Sequence, residues 1–302
     1  MNFSALRYLV AFADEGSFSK AAERCHISQP TLSVSLQNLE SELGIALIER
    51  GKGHVGMTDI GWQVVAQVRK TLDEARRIEQ VAHLGKDPLT GDFRLGVIHT
   101  IGPYLLPELI GAMRKTTPTT HLFIEESMTA LLTDSLKYGT VDAAIIALPF
   151  DVKGLKVHPL YDEPFQVIVP KGHPWAKRKK IASHEVRGEN VLVLKAGNCF
   201  REQVLDACPD ISHAESSLHE GHSIETVRCM VASGYGVSVL PAGSLSGIYK
   251  TGLVVPIPFE APAPSRRVAL AWREGFTRPQ VIEAIIAAVK LIGNPSYLPI
   301  PT

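Results

Sequence analysis

The 302-residue sequence predicts a chain in two parts, an all-α front with a small β wing and an α/β back. Three observations carry this. Only Pro30 and Pro88 fall in the first 90 residues, and the other 18 of the 20 prolines follow, so the front is mostly helical and the back rich in loops. Apolar residues of the front recur at helical spacing. Those of the back fall in short strand-like runs that alternate with helical segments. At about 100–200 residues per domain, the length fits two or three domains.

In the front, Phe3, Leu6, Leu9, Val10 and Ala13 share one helical face, and Gly16 ends the run. Ser17 or Ser19 opens a second piece over Lys20–Cys25, where Ala21 and Ala22 permit close packing. His26-Ile27-Ser28 reads as a turn. Ser28 reads as the N-cap of a third helix with Pro30 in its first turn. Leu32, Leu36, Leu39 and Leu43 line one side of it, and Gly44 ends it. Apolar runs on either side of Gly51-Lys52-Gly53 predict a β-hairpin. Thr58 caps a long helix to about Leu84, along which Ile60, Val64, Val68, Leu72, Ala75 and Ile78 follow three- and four-residue steps. A stripe that narrow predicts a partner helix.

The polar segment 86–92, with Pro88 and Gly91, marks the boundary. Behind it, strands are expected at Phe93–Ile98, Leu122–Glu125, Ala143–Leu148, Phe165–Val169, Val191–Leu194, Val237–Leu240, Leu253–Ile257 and Val268–Trp272. Helices are expected at Pro103–Lys115, Ala130–Tyr138, Phe200–Ala207, Ile224–Ser233 and Arg278–Ile292. The alternation predicts parallel-rich sheets with sites in the crevices at their strand ends.

Lys plus Arg is 31 and Asp plus Glu is 31. The balance excludes a polybasic nucleic-acid coat and an acidic tail, though not a local DNA-binding face. No apolar run approaches the roughly 18 residues of a membrane span. Met1-Asn2-Phe3-Ser4 has neither a charged region nor an apolar core of a signal peptide. Four cysteines are too few for a disulfide scaffold. The expectation is a cytoplasmic protein whose cysteines start reduced.

Helix, tight turn, helix and wing form the winged helix-turn-helix plan, whose second helix enters the major groove. Here that helix offers Ser28, Gln29, Pro30, Thr31, Ser33, Ser35 and Asn38, short polar groups suited to base edges and phosphates. Lys20, Arg24, Arg50 and Lys52 are placed to neutralise phosphates, although residues 1–60 carry five Lys or Arg against seven Asp or Glu. An ordinary solvated helix is the alternative. The run Phe18-Ser19-Lys20-Ala21-Ala22-Glu23, then Ser28-Gln29-Pro30-Thr31-Leu32-Ser33, Leu39-Glu40, Leu43-Gly44, Glu49-Arg50, and Thr58 with Gly61, resembles the LysR-type transcriptional regulators. The resemblance implies a DNA-binding domain over 1–58 and a linker helix over 59–90, with Ile60, Val64, Val68 and Leu72 at a dimer seam. It also implies a regulatory domain over 91–302 built of two Rossmann-like lobes, as in periplasmic binding proteins. Lobe I would span about 91–162 and 267–302, and lobe II about 163–266. Such proteins are homodimers that usually pair into homotetramers.

Cys199 and Cys208 stand nine residues apart. Cys199 follows a strand and Gly197 at the start of a helical stretch, where the positive end of the helix favours a thiolate. Arg201 is close enough in sequence to add cationic help. Cys208 closes the stretch before Pro209. Nine helical steps of about 1.5 Å separate the ends by roughly 13 Å, and a disulfide needs Cα atoms within about 7 Å. The pair could join only if the helix rearranged, which suits a redox switch. Inert core thiols remain the alternative, and that is the reading for Cys25 and Cys229. Zinc is disfavoured, because His184, His213, His219 and His222 form no two-plus-two ligand pattern. No metal or cofactor is expected.

Gly197-Asn198-Cys199 through Arg201, Gln203 and Cys208 resembles the switch segment of the peroxide-sensing OxyR subfamily within that family. Leu95 through Pro107, Ser223-Ile224-Glu225-Thr226-Val227-Arg228, Met230 through Gly234, and Pro264-Ser265-Arg266-Arg267 extend the likeness over nearly the whole chain. It implies that Cys199 is the peroxidatic thiol and Cys208 the resolving one. Thr100 and Thr129 would hold peroxide and Arg266 would stabilise the thiolate, with Asn198 and Arg228 supporting. Many members carry His where Asn198 stands. The implied partners are a double-stranded DNA operator, hydrogen peroxide as the signal, a dithiol reductant for reset, and RNA polymerase. Two competitors remain: a LysR-type regulator that binds a metabolite between its lobes, and a thiol peroxidase that turns over.

Overall fold

The computed structural model describes residues 2–51, 54–84, 87–150, 153–207 and 219–300, which divide into two compact units. The first comprises residues 1–86 with 137–140, the second 87–136 with 141–302.

The first unit begins with helices α1 (Phe3–Glu15), α2 (Phe18–Arg24) and α3 (Gln29–Leu43). Asn2 caps α1 by accepting from the Ala5 N–H at 2.8 Å, and Gly16 ends it in the left-handed region at φ 61°. His26 also takes positive φ, 54°, in the turn between α2 and α3. Ser28 caps α3 as expected, and Gly44 ends it at φ 69°. Strands β1 (Ile48–Gly51) and β2 (His54–Met57) pair antiparallel as the wing. One Glu40 carboxylate oxygen accepts from the N–H groups of Leu47 (2.8 Å) and Ile48 (2.9 Å), fixing the wing's entry onto α3. Thr58 accepts from the Gly61 N–H at 2.9 Å at the start of α4 (Asp59–Leu84). Gly61 lies so close to the wing that an added Cβ would meet the Leu47 carbonyl oxygen at 2.3 Å.

Leu9, Phe12, Ala21, Leu32, Leu36, Leu39 and Leu47 form this unit's core, joined by Val65 and Val68 of α4. Part of the stripe expected to meet a partner helix thus also serves this chain's own core. Val68 is buried inside its own chain, and Val64 and Leu72 pack against the same core; Ile60 and Ile78 stay exposed. Helical spacing puts all of them on one side but does not say whose core that side meets.

The second unit alternates β3 (Gly91–Ile98), α5 (Gly102–Thr116), β4 (Thr120–Ser127), α6 (Thr129–Tyr138), β5 (Ala143–Leu148) and the long β6 (Leu155–Pro170). Then come β7 (Val191–Leu194), α7 (Cys199–Ala207), β8 (His219–Gly221), α8 (Ile224–Ala232), β9 (Val237–Pro241), β10 (Val254–Pro258), β11 (Ser265–Arg273) and α9 (Pro279–Leu291). The strand order is β4-β3-β5-β11-β6-β9-β7-β8, with β10 also on β6.

The sheet is mixed rather than parallel-rich. β3 pairs parallel with β4 and β5, and β7 with β8 and β9. β11 runs antiparallel between β5 and β6, and β6 runs antiparallel to β9 and β10. Local alternation cannot show that the chain's last strand returns into the middle of the sheet. Residues 155–164, not expected as strand, form the part of β6 that pairs with β11. Two apolar cores result. One gathers β3, α5, β5 and α9 around Leu95, Ile145 and Ile285; the other gathers β7, α8 and β9 around Leu192, Val227 and Val239.

Candidate functional site

Cys199 is the first residue of α7. Gly197 takes φ 91°, which turns the chain out of β7, and the Asn198 side-chain oxygen accepts from the Phe200 N–H at 3.0 Å. Asn198 therefore serves as a local cap on the turn that presents the thiol. Phe200 and Val204 are buried in the second core, whereas the Cys199 side packs against the first. Gln203 donates to the Leu148 carbonyl at 3.1 Å, tying α7 to the end of β5.

Opposite the thiol, the Thr129 hydroxyl at the start of α6 donates to Cys199 Sγ at 3.2 Å. The two line a small cavity with His99, Thr100, Ser127, Met128 and Asn198. The space open to the centre of a water-sized molecule is about 10 Å³, on the order of one water. Buried Thr100 receives two hydrogen bonds from the Arg266 guanidinium, one on its hydroxyl at 2.9 Å and one on its carbonyl at 2.8 Å. Arg266 also donates to Glu163 at 2.7 Å and lies over the Phe200 ring, 5.3 Å from its centroid.

On the other unit, α3 buries Leu32, Leu36 and Leu39 and exposes Gln29, Pro30, Thr31, Val34 and Asn38; Ser33 and Ser35 are half-buried. The Ser28 and Thr31 hydroxyls bond each other at 2.7 Å at its N-terminus. Lys20 is exposed. Arg24 is paired with Asp14 (2.9 Å) and Glu15 (3.2 Å), so reaching a phosphate would require exchanging those partners.

Two family descriptions match the chain: the bacterial regulatory helix-turn-helix protein, lysR family, over residues 3–62, and the LysR substrate binding domain over residues 86–291. A hydrogen peroxide-inducible genes activator from Pectobacterium carotovorum subsp. carotovorum is 37% identical over 275 residues, covering 91% of each chain. The DNA-binding transcriptional dual regulator OxyR of Escherichia coli (strain K12) is 35% identical over 290 residues, covering 96% of this chain and 95% of that one. The chain belongs to the LysR family, in its OxyR branch. Full-length OxyR from Pseudomonas aeruginosa, in a C199D form, aligns with a TM-score of 0.79 at 43% identity over 100% of this chain and 99% of that one.

Within this LysR-type architecture, the structure gathers Thr100, Thr129, Asn198 and Cys199 at one cavity. None of the three cations expected to support the thiol hydrogen-bonds it among the described residues. Arg266 makes no hydrogen bond to Cys199 among the described residues; it meets the cavity through Thr100. The buried Arg228 spends its guanidinium on the Ser244 and Tyr249 carbonyls and on Glu225 at 3.2 Å. Arg201 bonds the Leu194 carbonyl at 3.1 Å and Glu220 at 2.6 Å. Each has a closer acceptor in its own neighbourhood, which sequence distance does not reveal.

Cys229 is exposed rather than a core thiol, because α8 buries Ile224, Val227, Arg228 and Val231 instead. Cys208, Lys52 and His213 lie outside the described residues, as does the Arg50 side chain. Among the described residues no three His, Cys, Asp or Glu gather as a metal site, and no helix is long and apolar enough to cross a membrane. Sequence reasoning missed Glu163, His99 and Ser127. A Glu beside the apolar run Phe165–Val169 is the one signal that could have drawn attention to Glu163.

Proposed function

We propose that this chain is a hydrogen-peroxide-responsive, DNA-binding transcriptional regulator working in the cytoplasm, with Cys199 as the sensing thiol and Cys208 as its resolving partner. Residues 1–58 read the operator, 59–90 couple subunits, and 91–302 sense. The protein acts as a homodimer that pairs into a tetramer, meets RNA polymerase at the promoter, and is reset by a dithiol reductant. The observation that carries this reading is a thiol at a helix N-terminus, bonded by Thr129 at 3.2 Å, on a cavity with room for a molecule of about water size.

Peroxide is small and neutral, so selectivity must come from a nucleophilic sulfur and from donors placed for the departing oxygen. Thiolate attack gives a sulfenic acid, which a second thiol converts to a disulfide with loss of water. Reduction by exchange restores the thiols. A metabolite pocket needs roughly 300–1,000 Å³, far more than this cavity offers. A wider depression of about 530 Å³ lies open beside Leu148, Phe150 and Arg267, but Arg267 is engaged by Asp162 through bonds of 2.7 and 2.9 Å. A turnover peroxidase would leave the reading head without a role.

The test is an operator footprint with and without peroxide. Peroxide should change the protected positions in wild type and leave them unchanged in Cys199→Ser. A footprint that answered to small metabolites and ignored peroxide would overturn the reading.

A further inference from the structure

The Arg266 guanidinium makes no hydrogen bond to the sulfur among the described residues; its bonds go to Glu163 and Thr100. It stands on β11 directly across the strand pair from Glu163 on β6. Both side chains are almost fully buried, at 3% and 2% exposure. Glu163 is held by two fixed donors: Arg266 Nε at 2.7 Å on one oxygen and the Gly243 N–H at 2.8 Å on the other. Gly243 has no room for a side chain, since a Cβ there would meet Glu163 at 2.4 Å. Burial first, and then the negative charge of Glu163, push the neighbouring Tyr161 phenol well above its usual range, so Tyr161 does not take part as an anion. A buried ion pair with this many fixed partners has one geometry.

That geometry reaches Thr100. Arg266 has donors and no acceptor, so the Thr100 hydroxyl must accept from it at 2.9 Å. The hydroxyl proton is then free to point elsewhere, and Thr100 lines the cavity that also holds Cys199. We infer that Glu163 is a positioning residue for peroxide reduction: by orienting Arg266, it makes the Thr100 hydroxyl a hydrogen-bond donor into the cavity. This rests on the peroxide reading and deepens it. In the reaction the S–O bond forms as the O–O bond breaks, and sulfur is oxidised by two electrons. The proton given up by the thiol ends on the departing hydroxide as water. Thr100 donates to that departing oxygen while negative charge builds on it.

The inference separates two reactions of the same sulfur. Alkylation by iodoacetamide reads the thiolate and needs no donor for a departing oxygen. Oxidation by peroxide needs both. Glu163→Gln removes a negative charge beside Arg266, which on electrostatics alone favours the thiolate. Stopped-flow oxidation of the full-length reduced protein should nevertheless slow roughly tenfold or more, the scale of losing a transition-state donor. Alkylation should hold or rise. Thr100→Val should slow oxidation similarly, and adding Glu163→Gln to it should cost little further, because the two act in series.

Glu163→Asp, which keeps the charge, should recover part of the rate. Equal losses in alkylation and oxidation, or a full additional loss in the double variant, would overturn the positioning role. So would unchanged oxidation in Glu163→Gln. If wild-type Cys199 oxidised no faster than free cysteine, the peroxide reading itself would fall, an outcome distinct from these.

Discussion

At Cys199 the fold supplies three things to one atom: a helix N-terminus, a hydroxyl donor from Thr129, and a small cavity. Cys199→Ser should abolish the peroxide response, since a neutral hydroxyl is a far weaker nucleophile than a thiolate; stopped-flow oxidation and the footprint would both show it. Thr129→Val should slow oxidation by roughly ten- to a hundredfold, as expected for losing a hydrogen bond of about 1.5–3 kcal/mol to a charged atom. Unchanged kinetics would remove Thr129 from the chemistry. The placement of Cys199 was legible from sequence because Gly197 and the strand before it are local signals. The carbonyl partners of Arg201 and Arg228 and the Thr100 partner of Arg266 were not, because they lie 7 to 166 positions away.

At the scale of elements, α3 and its turn were legible through Ser28, Pro30 and Gly44, each a terminus signal read within a few residues. Gln29→Ala or Ser33→Ala should cost roughly 1–3 kcal/mol of operator affinity if a base contact is lost, while leaving peroxide oxidation unchanged; mobility shifts beside thiol assays check both. Gly61→Ala should destabilise the reading head by roughly 1–3 kcal/mol, because its methyl meets the Leu47 carbonyl. A melt of the full chain reads that loss. The stripe on α4 was legible as a pattern, but spacing alone does not show that Val68 serves the head's own core. Leu72→Glu would therefore disturb folding as well as assembly. Ile78 is 72% exposed and offers the cleaner probe. Ile78→Glu should weaken dimerisation in sedimentation at low concentration while leaving the helical circular-dichroism signal unchanged, and an unchanged dimer would remove Ile78 from the seam.

At the scale of the molecule, the switch must convert one oxidised sulfur into a changed grip on DNA. A helix that began at Cys199 and ran on to Cys208 would hold the two Cα atoms roughly 13 Å apart, so pairing them requires the segment to come apart. Phe200 and Val204 anchor α7 in one core and Gln203 ties it to β5, so rearranging it disturbs packing that would otherwise hold the regulatory unit in its reduced form. On the proposed reading, that disturbance is what a homodimer would pass on to the DNA-binding residues, and the operator footprint reads it. The most direct measurement is a peptide map of peroxide-treated full-length protein, taken alongside the operator footprint of the same sample. The account predicts a peptide joining Cys199 to Cys208, faster hydrogen exchange within 199–208, and a shifted footprint, all three reversed by dithiothreitol. A footprint that shifted normally while Cys199 and Cys208 stayed unlinked would contradict it.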